Sequence, residues 1–162
     1  MLTQERLKEI LQYNPDTGLF VWLTSVGKMN IKGKIAGHID KDGYVYISIN
    51  KFRWRAHRLA FLFMEGKIPF QVDHKDRNPN NNKWENLREC DFSTNSANSK
   101  LRSTNTSGYK GVYWSKWNKR WHATIEVKGK SKFLGSFLEP ALAHEAYKKA
   151  AVENFGEYAC FG

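Results

Sequence analysis

The chain has 162 residues, 26 Lys and Arg against 16 Asp and Glu, a formal net charge of +10, and 41% apolar and 14% aromatic residues. That apolar share excludes wholesale disorder. No run approaches the roughly 20 apolar residues of a membrane span, and Cys90 and Cys160 alone build neither a zinc ribbon nor a disulfide framework, which points to a reducing interior. The start, Met-Leu-Thr-Gln-Glu-Arg, lacks the apolar stretch of a signal peptide, so a non-secreted protein is expected. The cation excess favours a polyanionic partner, nucleic acid first.

A first helix is expected from Thr3, a suitable cap, with Leu7, Ile10 and Leu11 at helical spacing. The turn Asn14-Pro15-Asp16-Thr17-Gly18 should end it. Strand patterns follow at 19–23 and 44–49, the second after the turn Asp40-Lys41-Asp42-Gly43. Asn50-Lys51 should turn into a paired strand, 52–55. Residues 57–64 read as a short buried helix closed by Gly66 and Pro69. A polar stretch, 72–86, is dense in Asp and Asn. A helix is expected over about 93–101, capped by Ser93 or Thr94.

Residues 103–107 lack apolar side chains and read as a linker. Beyond them lie three strand-like runs, 111–114, 121–127 and 132–137, separated by basic turns. A helix should follow from Pro140 to Phe155, with Pro140 at its first position and Gly156 just past its end. Ala143, Ala146, Tyr147, Ala150 and Ala151 form a narrow stripe that lets this helix lie close on a sheet. Val112, Ala123, Ile125 and Leu134 should face it, while their strand neighbours face away. Residues 101–132 hold eight basic residues and one acid, Glu126.

The stretch Asp73-His74 through Asn86-Leu87, followed by Asn95, has the residue types that phosphodiester hydrolysis requires. A water must lose a proton as it attacks phosphorus, and a His with a pKa near 6.5 suits that task. Charge on the phosphate and the departing 3′ oxygen must be stabilised, and carboxylate and amide oxygens suit a divalent ion such as Mg²⁺. Asp73 offers a ligand and His74 a base, although neighbours on a strand point to opposite faces. Asn95 offers a further oxygen. A turn-forming role for Asp73, His74 and the Asn cluster is the competing reading.

The stretch from about Arg55 to Asn98 resembles an HNH nuclease of the type found in phage genomes and group I introns. The resemblance rests on Arg55-Ala56-His57-Arg58-Leu59, Asp73-His74, Asn81-Asn82-Lys83-Trp84-Glu85-Asn86-Leu87 and Asn95. It implies a ββα-metal fold, His74 as general base, Asp73 and Asn95 as metal ligands, and Asn86 as the residue that orders the loop and orients the base. Asn95 stands where other members carry His, which favours one Mg²⁺ or Mn²⁺ over zinc. Arg58 is a candidate for a phosphate contact or a structural salt bridge. Lys75 and Arg77 are candidates for DNA clamps or solvated charges.

Residues 105–160 resemble the DNA-binding domain of plant ethylene-response factors, the apetala domain, through Ser107-Gly108-Tyr109-Lys110-Gly111-Val112-Tyr113-Trp114, Arg120-Trp121-His122-Ala123-Thr124-Ile125 and Phe133-Leu134-Gly135-Ser136-Phe137. That resemblance implies a three-stranded sheet entering the major groove. Lys110, Tyr113, Lys116, Trp117, Lys119, Arg120, Thr124, Glu126 and Lys132 fall on or beside its DNA-facing positions. Trp121 reads as core and Trp117 as exposed. His122 and His144 read as surface residues and His38 as a loop residue without a partner; none of the three is assigned to a metal.

The expectation is an α+β protein: residues 1–54 as an N-terminal part of the nuclease domain, 55–102 as the HNH core, 103–107 as linker and 108–162 as the DNA-binding module. Lys28, Lys32, Lys34, Lys51, Arg53 and Arg55 extend the DNA surface or decorate a solvated sheet. The resemblance implies a metal-dependent endonuclease, of homing or nicking type, that acts on double-stranded DNA and leaves 5′-phosphate and 3′-hydroxyl ends. It would be phage-encoded, act in the bacterial cytoplasm as a monomer or DNA-dependent dimer, and need neither a membrane nor a small-molecule cofactor. The alternatives are a DNA-binding regulator with a structural HNH segment and an RNA-directed nuclease.

Overall fold

The computed structural model describes residues 2–25 and 30–162, so Lys28 lies outside the described residues. By internal packing the chain divides into two units, Met1–Glu89 and Cys90–Gly162. The fold is α+β, as expected, built from small antiparallel sheets and, among the described residues, four α-helices. None of those helices is long and apolar enough to cross a membrane.

In the first unit, α1 (Gln4–Ile10) starts at Thr3, whose hydroxyl accepts from the Arg6 N–H. The helix stops earlier than its spacing suggests. Leu11 opens β1 (Leu11–Asn14), which pairs with β2 (Leu19–Trp22) through the turn that was expected to end the helix. Leu7, Ile10, Leu11 and Tyr13 therefore reach one core from a helix and a strand in succession. Strand β3 (His38–Ile39) lines up on β4 (Val45–Ile49), which pairs with β5 (Phe52–Arg55). Asn50 and Lys51 both take left-handed conformations, φ 50° and 69°, which a two-residue hairpin with right-twisted strands demands.

Helix α2 (Ala56–Glu65) follows β5 directly and ends at Gly66, left-handed at φ 73°. It buries His57, Leu59, Ala60, Phe61 and Leu62. Phe20, Leu7, Leu11, Ile47 and Leu59 are the largest side chains wholly withdrawn from water, each contributing about 1.5–3 kcal/mol by transfer. Strand β6 (Gln71–His74), a 3₁₀ turn (Trp84–Asn86) and β7 (Leu87–Cys90) complete this part, with β6 and β7 forming a two-stranded sheet. The loop between them is anchored by the β1–β2 hairpin. The Tyr13 hydroxyl donates to the Asn82 carbonyl at 2.6 Å, and the Trp84 N–H donates to that of Pro15 at 2.9 Å. Gly18 packs so closely that a Cβ there would lie 2.4 Å from the Asn82–Lys83 peptide.

In the second unit, α3 (Phe92–Asn98) begins at Asp91 in a reciprocal capping box with Thr94. The cap is thus two to three residues earlier than expected, because an Asp carboxylate accepts the Thr94 N–H at 2.8 Å. Strands β8 (Val112–Ser115), β9 (Arg120–Val127) and β10 (Lys130–Phe137) form an antiparallel sheet with β9 in the centre. Helix α4 (Pro140–Phe155) packs on one face through Ala143, Tyr147, Ala150 and Ala151, against Val112, Ala123 and Ile125. Close approach is enforced at Gly111, where a Cβ would meet the Tyr147 ring at 2.1 Å. Ala97 of α3 belongs to the same apolar cluster as Ile125 and Ala150.

Candidate active site and cation-rich surfaces

Strand β6 ends in two buried polar residues, Asp73 and His74. Asp73 meets Arg88 on the neighbouring strand β7: Nε and Nη2 of the guanidinium reach carboxylate oxygen Oδ2 at 2.9 and 2.8 Å. Both partners are about nine-tenths buried, so the pair is worth keeping only because its geometry is close. Arg88 was not among the expected site residues. The available signal was its place two residues after Asn86, on a strand apposed to Asp73.

His74 turns the other way. Its Nε2 lies 3.4 Å from Asn82 Oδ1, and the Asn82 amide nitrogen donates to the Asn80 carbonyl at 3.0 Å. That second bond fixes which end of the amide faces the imidazole. An Nε2–H tautomer would donate to that oxygen and leave the basic lone pair on Nδ1. The ring stands edge-on to His57, 5.0 Å between centroids, and Tyr44 lies 5.6 Å from His57 and 6.2 Å from His74. Burial lowers the His74 pKa, opposed by the Asn82 contact and by Asp76 and Asp73; the Arg55 charge lowers it further. Burial takes His57 down to about 3, with the charges of His74, Arg55 and Arg58 adding to that effect. Two neutral imidazoles therefore sit side by side at pH 7.

Asn86 binds the loop to the strand end. Its Oδ1 accepts the Asp76 N–H at 3.0 Å, and its Nδ2 donates to Asp76 Oδ1 at 2.9 Å and to the Asn81 carbonyl at 2.7 Å. Its own carbonyl accepts the Lys75 N–H. Burial raises the Asp76 pKa, but hydrogen bonds from Asn81, the Asn78 N–H and Asn86 outweigh it and hold the carboxyl below its usual value. The amide that touches the imidazole is that of Asn82; Asn86 acts on the loop. Arg77, at φ 62°, donates its N–H to the His74 carbonyl. Lys75 and Arg77 are exposed. The Arg58 guanidinium donates to the carbonyls of Pro69 at 3.1 Å and Phe70 at 3.5 Å.

Asn95, half-buried on α3, lies in the second unit. Among the described residues, no group of three or more His, Cys, Asp or Glu converges. Taken residue by residue, the Asp73 carboxylate and the Asn95 amide are hard-oxygen donors, a type that suits Mg²⁺ or Mn²⁺ better than zinc.

On the second unit's sheet, Lys116, Trp117, Lys119 and Arg120 all stand exposed at the β8–β9 turn, Trp117 at 94%. Tyr113, His122 and Phe133 make an aromatic row across the three strands on the face away from α4, with ring centroids 5.4 and 5.1 Å apart. Thr124 and Glu126 share that face by strand alternation, whereas Lys132 is in register with Ile125, which faces α4. Lys110 is half-buried. Its ammonium donates to the Ala97 and Ser99 carbonyls, both at 2.6 Å, and so holds the end of α3. Trp121 is partly buried against the helix-side cluster and edge-on to the more exposed Trp114. Two histidines depart from expectation. His144 is buried, its Nδ1 3.2 Å from the Lys110 carbonyl and its ring stacked on Tyr147. His38 lies on β3, stacks on Tyr46, and is 3.5 Å from Arg53. A short polar spacing cannot reveal either contact, because the partners come from other elements.

Residues 55–98 match the model of a family described as HNH endonuclease. The chain is also 40% identical over 78 residues to Protein 3.8 of Escherichia phage T7; the match spans 47% of this chain and 64% of that protein. Among solved structures, one described as "DNA binding and cleavage by the HNH homing endonuclease I-HmuI" aligns at 24% identity and a TM-score of 0.44, covering 91% of this chain and 78% of that one. The chain therefore carries an HNH-type segment, and that segment contains Asp73, His74, Asn86 and Asn95.

Proposed function

We propose that the protein is a metal-dependent DNA endonuclease that hydrolyses phosphodiester bonds to 5′-phosphate and 3′-hydroxyl ends. The observation that carries this reading is the His74 imidazole. It lies in the HNH-type segment, buried, lowered in pKa, and with Nε2 against the Asn82 amide oxygen. A base must be unprotonated to act, and a neutral imidazole meets that need at neutral pH. Nδ1 takes the proton of the attacking water while Asn86 and Asp76 keep the loop beside it closed. Arg88 orients the Asp73 carboxylate through two contacts to Oδ2. A divalent cation with Asp73 as a ligand, Mg²⁺ or Mn²⁺, would offset charge on the phosphate and on the departing 3′ oxygen.

The partner in this reading is double-stranded DNA. Residues 108–162 form the binding module, 103–107 the linker and 1–102 the nuclease part. One site per chain gives nicks; a double-strand break takes a DNA-dependent dimer or two events. The setting is a phage-encoded homing or nicking enzyme inside a bacterial host, in keeping with the phage relative.

The test is relaxation of supercoiled plasmid in Mg²⁺ or in chelator. The native chain should nick in Mg²⁺ alone, and His74→Ala should lower the rate by about 10²–10⁴-fold. A native chain that binds DNA yet never nicks any substrate, including its genomic flank, would make the protein a DNA-binding regulator in which the Asp73–Arg88 pair is structural. Cleavage of structured RNA alone would make it an RNA nuclease.

A further inference from the structure

We propose that Arg55 is a phosphate-binding residue of the His74 site, seating a DNA phosphate beside the imidazole. This rests on the endonuclease reading and adds to it a residue that the HNH-type resemblance does not assign. Arg55 is the last residue of β5 and the N-cap of α2. Its guanidinium carbon lies 4.4 Å above the Tyr44 ring and 5.8 Å from that of Tyr46, and its Nε donates to the Tyr46 hydroxyl at 3.0 Å. Two rings and one hydrogen bond thus fix a side chain that is otherwise among the most mobile. Tyr44 is the same ring that packs beside His57 and His74. Arg55 is therefore one ring away from the proposed base.

What this bracing leaves unused is the informative part. The side chain is exposed, and among the described residues the two terminal guanidinium nitrogens meet no acceptor. Asp40 is the acid whose field reaches Arg55. Its Oδ1 is committed to its own turn, accepting the Asp42 and Tyr44 N–H groups at 2.9 Å each. The first turn of α2 has no acidic residue, so the cation adds to the positive end of the helix dipole. That placement is unfavourable for a cation unless an anion joins it. A stacked, oriented guanidinium with its fork outward is suited to planar, bidentate capture of a phosphate.

The full chain is titrated onto a mixed-sequence 30-bp duplex in chelator over a salt series, and plasmid nicking is followed in Mg²⁺ at saturating protein. Arg55→Gln should lower the slope of log affinity against log salt by about one counterion. It should also slow nicking at saturation by at least roughly tenfold, with an unchanged melting temperature, since the guanidinium is exposed. Arg55→Lys keeps the charge but not the fork or the ring stack. It should retain the salt slope and still nick more slowly than the native chain. If Arg55→Gln leaves both slope and saturating rate unchanged in a native chain that nicks, the phosphate site is wrong and the endonuclease reading stands. If the native chain never nicks but the slope still falls by one, the phosphate site stands and the endonuclease reading fails. Should Arg55→Gln melt early, Arg55→Lys decides: native rates with Lys overturn the proposal, and a slowed rate with native melting supports it.

Discussion

The first unit withdraws His57, Asp73, His74, Asn82, Asn86 and Arg88 from water, whereas the polar side chains that the second buries among the described residues are Asn98 and His144. The second instead buries small apolar residues along α4 and leaves Lys116, Trp117, Lys119 and Arg120 on a hairpin tip. The contrast separates two uses of polar groups. Shifting a pKa and fixing a tautomer need desolvation and matched partners, which cost stability when a partner is lost. Gripping a polyanion needs charges at the surface, where their removal costs the fold little.

The widest gap should appear at the Asp73–Arg88 pair. Arg88→Met leaves a buried carboxylate without its cation and should destabilise the protein by about 3–5 kcal/mol, read by urea unfolding. Adding Asp73→Asn should return much of that loss. A single-variant loss below about 1 kcal/mol would mean the pair behaves as a surface pair, and the contrast between the units would collapse.

Next in size is the pH dependence. His57 falls from an ordinary pKa near 6.5 to about 3 in the folded chain because it is buried. Between those values the unfolded chain binds the proton and the folded chain does not. Stability is therefore full above about pH 6.5 and falls as pH drops, by about 1.4 kcal/mol per pH unit for this one proton. His74 shifts in the same direction. In His57→Phe the fall from pH 6.5 to 5 should be shallower by about one proton, read from urea midpoints. Parallel curves for the two proteins would show that His57 is not held neutral.

The smallest effect belongs to the second unit. Trp117→Ala, at a side chain 94% exposed, should change stability by less than about 0.5 kcal/mol while weakening binding to duplex DNA in a gel-shift titration. A stability loss above that range with binding intact would make Trp117 a structural residue and remove the tip from the binding surface.

Much of the chain was legible locally. The 140–155 helix has Pro140 and Gly156 at its ends and an alanine stripe between them. The 50–51 hairpin and the three strands around β9 follow from turn residues and alternation. The departures have one cause. Leu11 fits a helix by spacing, but pairing with Trp22 draws it into a strand. Asp91 takes the cap from Ser93 because its carboxylate is the better acceptor. The resemblance places Lys110 beside a DNA-facing position, and nothing local in the sequence shows that its ammonium also bridges two carbonyls at the end of α3.

What the sequence by itself determined is residue chemistry and short-range order: the Asp73-His74 pair, the Asn-rich loop, the capped and patterned elements, and the crowding of cations over 101–132. Only the tertiary structure decided which groups meet. Arg88 reaches Asp73 across 15 residues, Tyr13 holds the Asn82 carbonyl across 69, and Tyr44 supports Arg55 beside two imidazoles. The physical reason is range. Periodicity and capping act within a few residues and leave a mark in the string, whereas desolvation, ion pairing and ring stacking act between segments that the chain brings together only when the core closes.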